Sequence, residues 1–276
     1  MVKMKEWKPN DDELDEIIGS MAVARAIGLG HVRPDRNSFN EINQYLSNNE
    51  INQYLIKNGQ GNVITINDPK QWIILNEQSL ISTDKFFHNN NWFDMHRLLQ
   101  LGNRFMPTLL ESNQFDQLVY NGIDKKHSKV YYSDGTQVPI EELRRIFNER
   151  YEVRSPWRAE YLDAKFKQRE DGLYLLTNHI VQQNGSLKPQ TEELLEDTLM
   201  KYRSPGINLK EWIKDPNKHG LPKSNISRGS LYYMCPEDEK VAGLDAEFAG
   251  FGLYCNWFPS GSYGGLGARA KILRTN

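Results

Sequence analysis

The stretch from residue 235 to residue 269 constrains the fold most, because small residues are mixed there with large aromatic ones. Neither the periodicity of a helix nor the alternation of a strand persists there for more than a few positions, so the sequence predicts irregular structure. Rigid rings among Gly, Ser and Asn are typical of binding surfaces, because rings add contact area at little entropic cost. An ordinary C-terminal core segment, packed around its aromatic rings, is the alternative. The aromatic residues of this stretch are Phe248, Phe251, Tyr254, Trp257, Phe258 and Tyr263.

The composition indicates an ordinary globular protein and argues against several classes of partner. The 276 residues carry a formal net charge of -2, which gives no electrostatic reason to expect a nucleic-acid partner. No apolar run approaches the length of a membrane span, so membrane insertion is not expected. The one apolar stretch that resembles a signal-peptide core, residues 21–29, follows an acidic segment instead of a basic one. We therefore expect no signal peptide.

Side chains that could bind a metal or carry catalysis show no recognisable pattern. No two of the six histidines stand at ligand spacing on one predicted helix, so the sequence predicts no metal site and no cofactor. The glycines of residues 261–267 lack the Lys-Ser/Thr of a phosphate-binding loop and indicate backbone flexibility. Cys235 and Cys255 are too few for a disulfide framework or a zinc knuckle. Cys255 has no basic neighbour in sequence, which favours a buried structural thiol over a nucleophile.

Charged residues cluster in the sequence around Trp157, namely Arg154, Arg158, Glu160 and Asp163. Such a cluster could be a catalytic constellation, since perturbed ionisable groups concentrate at active sites. Networks of this kind more often hold irregular chain together. We expect the structural role.

Local periodicity and capping residues predict helices at residues 11–26, 92–101, 109–120, 140–151, 191–201 and 208–212. Residues 71–80 predict a strand followed by a turn, and Asp134-Gly135 and Asn184-Gly185 predict tight hairpins. The heptapeptide NEINQYL occurs at residues 40–46 and again at 49–55. Two copies indicate a local duplication, to which we attach no function.

Five phrases occur in a fixed order along the chain. They are NWFDMHRLLQLGNRFMPT (91–108), RSPWRAEYLDAKF (154–166), PGINLKEWI (205–213), GLPKSNISRGSLYYMCPEDEKVAG (220–243) and PSGSYGGLGARAK (259–271). Together they resemble the variable proteins that diversity-generating retroelements diversify in archaea and archaeal viruses. The resemblance implies an α+β chain with a C-type lectin fold of the formylglycine-generating-enzyme-like subtype, with small sheets and much irregular structure. It implies a lectin-like domain at residues 91–276 with a variable region at about 241–270, and it leaves residues 1–90 as an N-terminal accessory segment.

The resemblance also implies a binding role without catalysis. In such proteins an error-prone reverse transcription replaces adenines, so that AAY codons come to encode many residue types at chosen positions. Trp257 and Glu247 cannot arise from such a codon, so we expect them to be scaffold or to lie outside the mutable set. The mutable, ligand-binding positions would be Gly243, Leu244, Asp245, Phe248, Gly250, Phe251, Tyr254, Asn256, Phe258, Tyr263, Gly264 and Gly265.

Framework residues would separate these positions, packing inward while the mutable side chains face solvent. Ala268 departs from the family pattern, where a larger apolar residue such as Val is expected. The framework implied by the resemblance is Val241, Ala242, Ala246, Leu253, Cys255, Pro259, Ser260, Ser262, Leu266, Gly267, Arg269 and Ala270.

Two other functions share this fold and remain alternatives. An enzyme of the formylglycine-generating type would need reactive cysteines, for which only Cys235 and Cys255 are present. A calcium-dependent lectin would need clustered oxygen ligands, and the C-terminal segment offers only Asp245, Glu247 and Asn256. We expect a non-catalytic protein that binds a protein or a cell-surface ligand, located on a virion surface or in the cytoplasm.

Overall fold

The computed structural model describes residues 68–124, 129–153, 158–247, 250–262 and 265–274. The helix expected at residues 11–26 and the NEINQYL repeat lie outside the described residues. The described residues have an α+β architecture in which helices pack on both sides of one large mixed sheet.

Four α-helices are present among the described residues, and local signals account for where they begin. Asn91 accepts a hydrogen bond from the Asp94 N–H, and Thr108 and Glu111 form a capping box. The helices predicted at 92–101 and 140–151 are confirmed at both ends, and the two others begin as expected but continue for two or three further residues. The helices are α1 (Trp92–Leu101), α2 (Leu109–Ile123), α3 (Ile140–Tyr151) and α4 (Leu209–Lys214).

Ten of the strands in the described residues form one sheet, where the resemblance implied several small ones. Its main order is β1-β2-β12-β3-β10-β11-β9-β8, with β4 paired to β3 and β7 paired to β4. Most neighbours are antiparallel, but β12–β3 and β11–β9 are parallel. The strands are β1 (Trp72–Asn76), β2 (Ser79–Phe86), β3 (Arg158–Arg169), β4 (Gly172–Thr177), β5 (Ile180–Val181), β6 (Leu187–Lys188), β7 (Thr191–Leu194), β8 (Arg203–Ile207), β9 (Leu231–Met234), β10 (Val241–Glu247), β11 (Gly250–Trp257) and β12 (Leu266–Leu273).

The expectation of irregular structure in the C-terminal stretch is wrong, because β10, β11 and β12 lie in the middle of the sheet. Their partners β3 and β2 are far away in sequence, so no local pattern announces the pairing. The helix expected at residues 191–201 is wrong for the same reason. Residues Thr191–Leu194 instead form β7, which pairs with β4.

The expected boundary at residue 91 does not separate an accessory segment from the domain. Strands β1 and β2 precede that boundary, yet β2 pairs with β12, aligning Lys85 with Arg269 and Ile81 with Lys271. Trp72 of β1 is buried as well. The sheet therefore needs residues 72–86, because without them the last strand would present an unpaired edge.

The two faces of the sheet are covered differently. On one face, Leu162, Ala242 and Leu253 pack into a core with residues of α2, α3 and α4, among them Trp212. On the opposite face, residues of α1 such as Trp92 pack with residues of β3 and β12. This division decides which side chains of β10 and β11 can meet a ligand.

Candidate ligand-binding site

A pocket of about 380 Å³ opens on the α1 side of the sheet, where β3, β9, β10 and β11 meet the loop after β11. Aromatic and polar side chains line it together, as is usual for sites that bind a ligand. Its lining residues are Tyr161, Met234, Asp245, Tyr254, Asn256, Trp257, Phe258, Gly261 and Leu266.

Strand alternation selects the side chains that reach the pocket. The register of β10 and β11 aligns Leu244 with Leu253 and Asp245 with Gly252. Because successive side chains point to opposite faces of a sheet, Leu244 and Leu253 enter the core while Asp245 and Tyr254 line the pocket. Asp245, Tyr254 and Asn256 are therefore each next to a buried core residue in sequence.

The wall of the pocket is an assembly of stacked rings. Trp257 stacks on Tyr254 with ring centroids 5.6 Å apart, and it meets Tyr161 edge-on, also at 5.6 Å. The Tyr161 hydroxyl lies 3.1 Å from the carbonyl oxygen of Phe258 and 2.9 Å from that of Gly261, so it can donate to the backbone of the following loop. The rings are thus tied to the rim that they support.

Phe258 forms the most exposed part of the rim. Its side chain is 67% exposed, the highest value among the large apolar residues of the described chain. The Lys240 ammonium lies 3.0 Å from the centre of its ring, which is a cation–π contact. An exposed ring beside an aromatic pocket is the kind of feature that marks an interaction surface.

Four of the twelve positions expected to bind ligand line the pocket: Asp245, Tyr254, Asn256 and Phe258. Gly250 and Gly265 are half-buried and lie outside the lining. Gly250 has a φ of 146°, a backbone conformation that residues other than glycine rarely adopt. A Cβ at this position would also overlap the Tyr232 ring. Three further positions, Phe248, Tyr263 and Gly264, lie outside the described residues.

Two expected binding positions, Gly243 and Leu244, are buried, and for them the expectation of solvent-facing side chains is wrong. Leu244 is 3% exposed in the core, and Gly243 is buried where a Cβ would overlap the Trp257 ring. Phe251 is half-buried against the core, with its ring edge-on to Tyr151 at 5.9 Å. Positions 243, 244 and 245 could not all face one side of a strand, because the side-chain period of a strand is two residues.

Most of the expected framework packs as predicted. Pro259 is half-buried, whereas Ser260 and Ser262 are exposed. Ala268 is fully buried, so the small residue at this position has a packed environment. The buried members are Val241, Ala242, Ala246, Leu253, Cys255, Leu266, Gly267, Arg269 and Ala270.

The two thiols lack the environment of a nucleophile. Burial raises the pKa of Cys235 and raises that of the fully buried Cys255 well above its ordinary value. Because the thiolate is the reactive form, both groups are protonated and unreactive at neutral pH. Neither cysteine forms a disulfide.

The charged residues near position 157 occupy different environments, and only some of them are buried. Glu160 lies between two guanidinium groups, 3.5 Å from Arg150 and 3.4 Å from Arg269. Arg158 instead donates to the carbonyl oxygen of Glu152 at 3.1 Å. Glu160 thus has the structural setting we expected, whereas Asp163 belongs to a different buried cluster. Arg154 and Trp157 lie outside the described residues.

Asp163 joins a cluster with His96 and His179 that the sequence did not reveal. One potential metal-ligand atom from each residue lies within 4.8 Å of the others, and all three side chains are buried. The residues come from α1, β3 and the segment between β4 and β5. A search for two histidines on one helix misses such a set, because only the tertiary fold brings its members together.

Comparisons with protein-family models, with curated proteins and with solved structures found no match to this chain. Among the described residues, none of the helices combines the length and the apolar character needed to cross a membrane. The function has to be inferred from the pocket and from the sequence resemblance.

Proposed function

We propose that this protein is a non-catalytic binding protein with a C-type lectin fold, whose C-terminal surface is diversified by adenine-directed retroelement mutagenesis. The observation that carries the proposal is the meeting of Asp245, Tyr254, Asn256 and Phe258 around one pocket. All four belong to the positions that the resemblance marks as mutable. The ligand would be a protein or another molecule on a host surface.

The pocket suits diversification because its backbone is fixed independently of its side chains. Framework residues such as Leu253 and Cys255 are fully buried between the pocket residues of β11. A change at Tyr254 or Asn256 therefore leaves the packing of the core face in place. A backbone that is already ordered lowers the cost of binding, whatever side chains it carries.

The proposed binding set is smaller than the sequence alone implied. It consists of Asp245, Tyr254, Asn256 and Phe258, resting on the invariant ring of Trp257. No AAY-derived codon encodes Trp, so this ring would stay constant while its neighbours vary. Phe248, Tyr263 and Gly264 remain candidates for the set, whereas Gly243, Leu244 and Phe251 are removed from it.

An enzyme of the formylglycine-generating type is the less favoured alternative. It would require reactive thiols, and burial keeps both Cys235 and Cys255 in the protonated form. Asp245 and Asn256 are the two lining residues with a side-chain carboxylate or amide oxygen, which is a small set for calcium, an ion that takes six to eight oxygen ligands.

A pair of displayed libraries tests the proposal. The first randomises Asp245, Tyr254, Asn256 and Phe258 with AAY-derived codons, and the control randomises in the same way four positions of the same strands whose side chains belong to the hydrophobic core. The control positions are Ala242, Leu244, Leu253 and Cys255. Protease resistance of the displayed chains measures the folded fraction.

We expect most members of the first library and few members of the control to be folded. Selection of the first library on a panel of purified proteins should yield binders that differ only at the four positions. A first library as poorly folded as the control would overturn the proposal. A near-copy of the codons for residues 240–270 in the flanking DNA, differing only at adenines, would identify the mutagenic process directly, and its absence would count against that process.

A further inference from the structure

His96, Asp163 and His179 form a buried cluster that the proposed function leaves unused. Their residues are 1%, 2% and 3% exposed, respectively. The His179 Nδ1 lies 2.5 Å from Asp163 Oδ1, and the His96 Nε2 lies 3.5 Å from the same oxygen. Two imidazoles thus converge on one carboxylate oxygen in the interior of the protein.

His96 is the member whose environment calls for a ligand. Neither nitrogen of its ring has a hydrogen-bond partner, although the side chain is 1% exposed. Buried polar groups in folded proteins are nearly always satisfied, and an exception calls for an explanation such as an ion.

Hydrogen bonds hold the backbone of His179 and the carboxylate of Asp163 in place. Gln100, one helical turn after His96, donates to the carbonyl oxygen of His179 at 2.8 Å and accepts from the N–H of Val181 at 2.8 Å. The backbone N–H of His179 donates to Asp163 Oδ2 at 3.1 Å, which leaves Oδ1 facing the two rings. The cluster is therefore built before any ligand arrives.

We propose that His96, Asp163 and His179 bind one divalent transition-metal ion of the Zn²⁺ class. Two imidazoles and one carboxylate suit zinc, whereas calcium and magnesium prefer oxygen ligands alone. Three-ligand zinc sites complete a tetrahedron with a water molecule.

The observed distances fit such an ion with a small adjustment. Bonds of about 2.0–2.1 Å to a tetrahedral zinc place neighbouring ligand atoms about 3.3 Å apart. The separation of 3.5 Å between His96 Nε2 and Asp163 Oδ1 already matches. The hydrogen-bonded pair of His179 and Asp163, at 2.5 Å, would open by about 0.8 Å to reach the tetrahedral separation.

The site would stabilise the support of the ligand pocket. Trp92 of α1 packs edge-on against the rings of His96 and His179, with centroids 4.3 and 4.9 Å away. Its backbone N–H donates at 2.9 Å to the carbonyl oxygen of Pro259, the residue after Phe258 in the pocket rim. A metal that fixes α1 against β3 would therefore also fix this rim.

Zinc binding by the untagged full-length protein tests the proposal. The protein is stripped with a chelator, dialysed and titrated with Zn²⁺ alone, and bound metal is counted by mass spectrometry. We expect one ion per chain and a higher melting temperature with zinc than without it. Substitution by Co²⁺ should give the visible absorption of a tetrahedral site with nitrogen and oxygen ligands.

The variants His96→Gln and Asp163→Asn should weaken zinc binding by about a hundredfold or more, because a ligand matters at least as much as its supporting partners. The matched control is His219→Gln, which removes another buried histidine, 2% exposed and outside the cluster. A second control, His31→Gln with His127→Gln, removes histidines elsewhere in the chain. Both controls should bind one ion as tightly as the unaltered protein.

Three results would overturn the inference. One is a folded, stripped protein that takes up no stoichiometric zinc. Another is a Co²⁺ spectrum with a thiolate charge-transfer band, which would assign the metal to Cys235 or Cys255. The third is unaltered affinity in folded His96→Gln. If His96→Gln does not fold, the Co²⁺ spectrum of the unaltered protein tests the site instead. Nitrogen and oxygen ligands would support it, and a thiolate band would overturn it. None of these results bears on the diversified pocket, whose test uses other residues.

Discussion

Replacing Glu160 by Gln should destabilise the protein strongly, because this carboxylate balances a buried network of charges. Glu160 is 2% exposed and lies 3.5 Å from Arg150 and 3.4 Å from Arg269. Asp116 balances the first guanidinium at 2.8 Å, and Glu149 lies 3.2 Å from the second. With Lys85 included, three cations face three anions, and the substitution leaves one cation in excess.

The size of the effect follows from these distances. At an effective dielectric constant of about 20, each contact of Glu160 corresponds to about 5 kcal/mol of Coulomb attraction, much of which desolvation offsets. Removing one partner of a buried ion pair costs about 3–5 kcal/mol, since the other charge remains buried. For a domain of this size that corresponds to a fall of about 6–20 °C in melting temperature.

Calorimetry and urea unfolding of the full-length protein measure the loss. Glu170→Gln is the control, since it neutralises an exposed carboxylate just beyond the end of β3 and should change stability by less than about 0.5 kcal/mol. Adding Arg269→Met to Glu160→Gln restores the balance of charges, so the double variant should lose less than the sum of the single losses. A Glu160→Gln protein as stable as the control would refute the reasoning.

Three further predictions follow from the fold. A chain that starts at Asp68 should unfold cooperatively in calorimetry, whereas one that starts at Asn91 should not, because it lacks β2, which pairs with β12, and β1, which pairs with β2. Equally cooperative unfolding of the two chains would support a domain boundary at residue 91. Leu253→Ser should lower the free energy of unfolding in urea by about 2–5 kcal/mol or more, and Tyr254→Ser by less than about 1 kcal/mol, because only Leu253 is fully buried. Similar losses in the two variants would contradict the arrangement in which alternate side chains of β11 face the core and the pocket. Burial lowers the pKa of His219 from 6.5, so the unfolded chain binds more protons below that pH and stability falls as the pH drops. His219→Gln should make the melting temperature depend less on pH in this range. An unchanged pH dependence would count against the lowered pKa.

The sequence was informative wherever short-range chemistry decides the structure. Helices α1 and α3 begin and end at the predicted residues, because Asn91 caps the first and Pro139 precedes the second. The tight hairpin at Asn184-Gly185 is also confirmed, since β5 and β6 pair across it and Gly185 has a φ of 79°. Each of these signals acts within a few residues and needs no tertiary partner.

Several strands of the sheet also depended on partners that are distant in the chain, such as β3 for β10 and β2 for β12. Strand β12 pairs with β2 and β3, and β10 pairs with β3 and β11. Gly243 and the alanines of β10 carry little strand propensity, so the local pattern alone indicated irregular chain. Pairing satisfies their backbone groups and burial removes their side chains from water, and both effects exist only in the folded protein.

For the candidate binding residues too, the sequence determined some features and the tertiary structure determined others. The sequence by itself determined that aromatic and small residues concentrate near the C-terminus, and four of the positions that the family resemblance implied line the pocket. It could not decide that Leu244 enters the core while Asp245 faces the pocket, because that depends on the register between β10 and β11. Only the tertiary structure decided that His96, Asp163 and His179 meet, since helix, strand and loop approach each other through packing that no local spacing encodes.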